Sequence, residues 1–244
     1  MEIAGVEFRR IITSNWFTRR PHRYAFLQTL ALAVILYAAC SAYWSNFAQA
    51  HEWMAATPRQ VFQLHEWWRP WTTLFAHGDL AHLFANSLLF FGFSYLLHSY
   101  FSVWFFPVMG LLMGGLANVV VLLTLGDDVT LVGASGLVHW MGAAWATLHV
   151  LLENRQNFRP RFGNALFLML VLFTPDTYRP NVSYLAHFIG FIFGVGSSYL
   201  YWRFNQRVFS AAEVVEYQVV PPWEFGPWDG SDPDDQRSPE FLSG

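Results

Sequence analysis

The sequence predicts an all-α membrane protein: six helices that cross the bilayer, with a long interfacial outer loop between the first and the second. Three observations carry that prediction. Apolar residues make up 54% of the 244-residue chain and charged residues only 13%, a balance that ordinary soluble domains do not show. Apolar runs about 20 residues long, enough to cross a hydrocarbon core as helices, recur along the chain. Arginine clusters, finally, fall in some of the loops between those runs and are missing from others, as expected when basic loops stay on the cytoplasmic side.

The elements follow in order. Arg9, Arg10, Arg19, Arg20 and Arg23 precede the first apolar run, 25–45, and mark residues 1–24 as a basic cytoplasmic arm. The Ala48-Gln49-Ala50 triplet after that run resembles a signal-peptide cleavage site, but an apolar stretch of about 20 residues exceeds the 7–15 of such peptides, so the run is expected to stay as a crossing. Residues 46–79 are too apolar for a solvated linker, with Trp53, Phe62, Trp67, Trp68, Trp71 and Phe75, and should lie partly in the outer interface. Runs at 80–97 and 103–124 follow, then a loop at 125–132 that carries Asp127 and Asp128 but no base, then a run at 135–152. Arg155, Arg159 and Arg161 form the next basic cluster. The stretch 162–174 is short, about a dozen apolar residues, and alone could be re-entrant; it is read as a crossing because an even number of spans places every basic loop inside. The run 183–202 closes the membrane domain, 25–203, and Arg203 and Arg207 follow it. Residues 204–244 read as a cytoplasmic tail without fixed structure, given Pro221-Pro222, Gly226-Pro227 and the acidic run from Asp232 to Asp235.

Composition also excludes function classes. Every basic residue is Arg, and residues 203–244 hold three of them against eight acids. The net charge of −3 therefore belongs to the tail, which speaks against a nucleic-acid partner. Cys40 is the single cysteine; it reads as a small packing residue and leaves no disulfide or cysteine-based metal site within the chain. A membrane metalloprotease would need H-E-x-x-H, and neither His51-Glu52 nor His65-Glu66 has the second His. A membrane aspartyl protease would need paired aspartates within the spans, whereas Asp127 and Asp128 are adjacent in a loop. A transporter would show inverted repeats, and none is visible. No cofactor and no metal are expected.

Polar groups inside spans are costly and each calls for a partner or a function. With the orientation set, four of them fall at one depth in the outer half: His82 and Asn86 in the second span, Ser135 at the start of the fourth, His187 near the start of the last. Taken singly, each has a plainer reading: a transmembrane His as interhelical glue, Ser135 as an N-cap or packing residue, His82 and Asn86 as an i, i+4 hydrogen-bonded pair. Together they supply what acyl transfer needs, a hydroxyl nucleophile, an imidazole base and donors for an oxyanion. Gly133-Ala134-Ser135-Gly136 leaves room for a substrate backbone and puts Ser135 at a helix N-terminus, where free N–H groups favour negative charge. Gly190 and Gly194 form a G-x-x-x-G that lets the last helix approach the fourth.

These residues resemble the rhomboid intramembrane proteases over about residues 25–203. The motifs are Trp68-Arg69 in the first outer loop, H-x-x-x-N at His82 to Asn86, G-x-S-G at Gly133 to Gly136, and A-H-x-x-G-x-x-x-G from Ala186 through His187 and Gly190 to Gly194. The resemblance implies a serine endopeptidase without a third acid, with Ser135 as nucleophile, His187 as base and acid, and an oxyanion hole made by His82, Asn86 and the Ser135 backbone N–H. It implies a supporting role for Gly133, Gly136, Trp68, Arg69 and Gly190, and for His77 in ordering its loop. It also implies a cavity open to the outside and capped near Pro175 to Pro180, with single-span membrane-protein substrates entering sideways from the lipid bilayer. The expected setting is a bacterial inner membrane, with both termini cytoplasmic.

Two positions depart from the family pattern. His139 stands where rhomboids often have a Tyr that stacks on the catalytic His, and at i+4 from Ser135 it could also compete as the base. His98 stands where many members have Glu. The alternative reading is an inactive rhomboid-like protein that binds or escorts membrane proteins; such relatives lack the Ser or the His, and both are present here.

Overall fold

The computed structural model describes residues 2–3, 6–173 and 183–220. The cap expected near Pro175 to Pro180 and the acidic end of the tail, 221–244, lie outside the described residues. Helix forms at every predicted apolar run: α1 (Ala25–Ser45), α2 (Leu80–Tyr100), α3 (Gly110–Leu122), α4 (Ser135–Leu152), α5 (Phe158–Phe173) and α6 (Tyr184–Ser210). Ala25–Ser45, Leu80–Tyr100 and the segment Trp104–Leu122 are long and apolar enough to cross a membrane.

The helices show a polarity opposite to that of a water-soluble bundle. Phe26, Leu27, Leu30, Val34 and Ile35 of α1, Phe84 and Leu88 of α2, and Phe188, Ile192 and Phe204 of α6 are exposed. Lipid is the solvent that such outward faces suit. The core gathers around α4, which is buried along most of its length from Gly136 to Leu152. Trp140 and Phe105 sit at its centre with Leu97, Leu148 and Met141.

Residues 46–79 join α1 to α2 through short helical turns, including Ala50–Met54 and Arg69–Thr72. The buried Arg69 anchors this connection: it pairs with Glu66 and donates from Nη1 to the Ala55 carbonyl at 2.6 Å. Asn118 of α3 donates to the Pro70 carbonyl at 2.9 Å, and Trp71 packs directly on Gly115. The loop is thereby fastened to the bundle rather than draped over it.

Two expectations change. The fold is not wholly helical, because β1 (Glu2–Ile3), β2 (Val6–Ser14) and β3 (Val214–Val219) form an antiparallel sheet in the order β1-β2-β3. The segment expected to be an unstructured tail from 204 is helix to Ser210 and strand from Val214 to Val219. The physical reason is that β2 and β3 are paired across some two hundred residues of sequence, with Phe8 opposite Val219 and Ile12 opposite Val215. Each strand carries charges among its apolar residues, and neither signals itself without its partner.

This sheet also identifies one end of the molecule. Asn15 donates to the Glu153 carboxylate after α4 at 2.9 Å, and the Trp16 indole N–H donates to the Tyr100 carbonyl at the end of α2 at 2.8 Å. Trp16 also meets Phe209 near the end of α6 edge to face, centroids 4.8 Å apart. The C-terminal ends of α2, α4 and α6 thus converge on Asn15 and Trp16. Their N-terminal ends, with His82, Ser135 and His187, share the opposite end.

Candidate active site

Ser135 is the first residue of α4, and no side chain caps that helix. The loop leading to it is held by backbone pairing instead. Ala56 and Leu131 exchange hydrogen bonds at 3.2 and 2.8 Å, the Gly133 N–H donates to the Thr73 carbonyl at 3.1 Å, and Thr73 Oγ1 donates to the Leu131 carbonyl at 2.5 Å. Gly133 has φ +122°, a region that L side chains rarely adopt. A Cβ there would lie 2.7 Å from Cε1 of His82. Glycine is therefore required twice over, by conformation and by the imidazole of α2 that packs on the loop. The first-turn N–H groups of α4 have no acceptor within the helix and no side-chain cap, and the helix dipole at this end favours an anion.

The fourth and sixth helices meet through bare backbone. A Cβ on Gly190 would collide with the Gly136 carbonyl, one on Gly194 would lie 2.6 Å from the Trp140 carbonyl oxygen, and one on Gly136 would lie 3.4 Å from the Ala186 carbonyl oxygen. Trp140 also donates from Nε1 to Ser197 Oγ at 3.0 Å. The residues next to Ser135 and next to His187 are therefore in direct contact, which is the close helix approach that the G-x-x-x-G pattern predicts.

His139 completes the arrangement. Its Nδ1 lies 2.8 Å from the Ser135 carbonyl, to which it donates, and its ring stacks on that of His187 with centroids 3.8 Å apart and planes 14° from parallel. It takes the stacking position that the resemblance assigns to a Tyr. With Nδ1 committed to the backbone, the His139 ring is oriented as a platform for His187.

On the α2 side, Asn86 is buried, and His82 is half-buried with its ring edge to face against His77, centroids 5.0 Å apart. The fully buried His77 connects these groups. Its Nε2 lies 3.2 Å from Asn86 Nδ2 and 3.4 Å from the Ala134 N–H, and its Nδ1 lies 3.2 Å from Cys40 Sγ. Burial, reinforced by His82 and opposed by Asp79, pushes the His77 imidazole down to about 3, so it is neutral at ordinary pH.

Of the residues singled out from sequence, Ser135, His187, His139, Gly133, Gly136 and Gly190 form one cluster, and His82 joins it through Gly133. Asn86 reaches it through His77 and Ala134. Trp68 is exposed and Arg69 serves the loop anchor described above. His98 is buried at the other end of α2, with Nδ1 2.9 Å from the Ser94 carbonyl and 3.4 Å from Thr29 Oγ1, so it ties α2 to α1. Sequence reasoning missed Thr73 and Cys40. Thr73 belongs to no motif, and Cys40 sits in an apolar run where only the fold reveals its polar contact.

A family model described as a Rhomboid domain matches residues 64–204. No curated protein matches the chain. The matched segment is more than half of the chain and contains the Trp68-Arg69, H-x-x-x-N, G-x-S-G and A-H-x-x-G-x-x-x-G stretches together, and the chain belongs to the rhomboid family.

Proposed function

We propose that the protein is an active intramembrane serine endopeptidase with a Ser135–His187 dyad. The observation that carries this reading is the stack of His187 on His139, whose Nδ1 is bonded to the Ser135 carbonyl. It holds a base imidazole beside the helix end that bears the hydroxyl. In the proposed reaction Ser135 Oγ attacks the scissile carbonyl while His187 takes its proton. The oxyanion is received by the N–H groups at the start of α4 with His82 and Asn86. Collapse breaks the C–N bond, His187 returns the proton to the departing amine, and water then hydrolyses the acyl-enzyme by the same steps in turn.

The substrates are membrane proteins that cross the bilayer once. They are cut where the helix unwinds, since a regular helix shields its peptide bonds. Six crossings in a bacterial inner membrane, with both termini cytoplasmic, place the site in the outer half; the arginine clusters at 9–23 and 155–161 support that orientation. The test is cleavage of a single-span substrate with an unwound segment, co-reconstituted in vesicles with wild type, Ser135→Ala or His187→Ala. The reading expects product from the wild type alone. A substrate that is bound and left intact by all three would favour the escort function.

A further inference from the structure

We propose that Cys40 of α1 is a positioning residue, whose thiol holds the His77 imidazole as the Nδ1-protonated tautomer and thereby fixes Asn86 and the Ala134–Ser135 backbone for oxyanion binding. The proposal rests on the protease reading for its catalytic half. Its tautomer half rests on donor and acceptor accounting alone.

A backbone amide can only donate. The Ala134 N–H points at His77 Nε2 from 3.4 Å, so Nε2 presents its lone pair, and the Asn86 amide nitrogen 3.2 Å away is a second donor to the same atom. The single proton of this neutral ring is then on Nδ1, which needs an acceptor. That acceptor is Cys40 Sγ at 3.2 Å, whose own S–H donates to the Phe75 carbonyl at 3.0 Å. Every group in the chain Phe75, Cys40, His77, then Asn86 and Ala134 is satisfied in one arrangement only. Cys40 and His77 are both fully buried, so water offers no substitute.

Without the sulfur, Nδ1–H is left buried without an acceptor. The other tautomer turns Nε2–H toward two donors and repels both Asn86 and the residue preceding the nucleophile. Either way the geometry of the anion-receiving groups loosens while substrate contacts elsewhere stay as they were. The effect belongs to the transition state and hence to kcat. The reading of Cys40 as mere packing predicts the opposite order of variants, because valine fills nearly the same space whereas serine alone keeps a donor and an acceptor.

The experiment compares full-length wild type, Cys40→Ser and Cys40→Val in detergent, with kcat and KM on one membrane substrate and nitrogen-15 histidine shifts that distinguish protonated from unprotonated ring nitrogens. Loss of the outer partner that fixes the tautomer of a metal-bound imidazole costs about 10–100-fold, and a loss of that order is expected here. We expect that loss in kcat for Cys40→Val with KM nearly unchanged, a large recovery in Cys40→Ser, and a changed His77 shift pattern only in Cys40→Val. Full turnover in Cys40→Val with loss in Cys40→Ser would overturn the proposal in favour of packing. An unaltered His77 pattern in Cys40→Val would overturn it whatever the activity. If wild type cleaves nothing, the protease reading and the catalytic half fall together, and the shifts still decide the tautomer half; an unfolded Cys40→Val is replaced by Cys40→Ala under the same criteria.

Discussion

Two imidazoles lie beside Ser135, the proposed nucleophile, and their surroundings differ. His139 is fixed by its bond to the Ser135 carbonyl and lies flat against His187; a base must instead offer a lone pair to the hydroxyl. His139→Phe preserves a flat ring for His187 and should keep turnover within about tenfold of wild type, since general-base loss typically costs 10²–10⁴. His187→Ala should abolish turnover. A dead His139→Phe beside an active His187→Ala, measured on one substrate, would reverse the assignment. The proposed nucleophile and base and the H-x-x-x-N pair stand out in the sequence because each is a rare polar residue in an apolar run. The part played by His77 as the junction between Asn86 and Ala134 was only partly so, and that of Cys40 not at all. Their meaning lies in contacts between residues 37 and 57 positions apart, for which a linear pattern has no signature.

Apolar length marks α1 and α2 closely and α5 only weakly. The reason is physical: α5 begins among Arg159 and Arg161, so its apolar part is short while its helix is not. The close contact of α4 with α6 was legible from Gly190 and Gly194, since a glycine pair spaced by four has little use unless a second backbone comes near. The strands β2 and β3 were not, because pairing energy arises only between them. At this scale the sharpest prediction concerns Gly190. A methyl group there must displace the Gly136 carbonyl, which lies beside Ser135, and overpacking of this kind costs about 1–3 kcal/mol. Gly190→Ala should lower the thermal midpoint in detergent and depress cleavage. Gly196→Ala, where nothing lies within 4 Å of the added carbon, should do neither, and equal effects from the two would contradict the helix contact described here.

The whole molecule is organised by its two ends. One joins the sheet to the C-terminal ends of α2, α4 and α6 and is rich in charge; the other carries the proposed chemistry. Glu153 bridges the first end: it accepts from Arg155 at 2.8 Å through both oxygens and from Asn15 at 2.9 Å. The hydrogen bonds from Arg155 outweigh burial and hold its carboxyl below the usual carboxylate range. A carboxyl depressed in the folded state contributes stability above its unfolded pKa and loses it as pH falls through the folded one. The thermal midpoint of wild type should therefore drop between about pH 6 and about pH 3 more steeply than that of Glu153→Gln, and parallel curves would remove Glu153 from the account. The end-to-end layout was legible in the arginine loops, whereas the sheet that gathers the helix ends was not. The central claim, that Ser135 is an activated nucleophile, is tested most directly by labelling the full-length protein in detergent with a fluorophosphonate and mapping the adduct by peptide mass spectrometry. The account predicts a single adduct on Ser135, lost in Ser135→Ala and strongly reduced in His187→Ala; an unlabelled wild type, or equal labelling of all three, would contradict it.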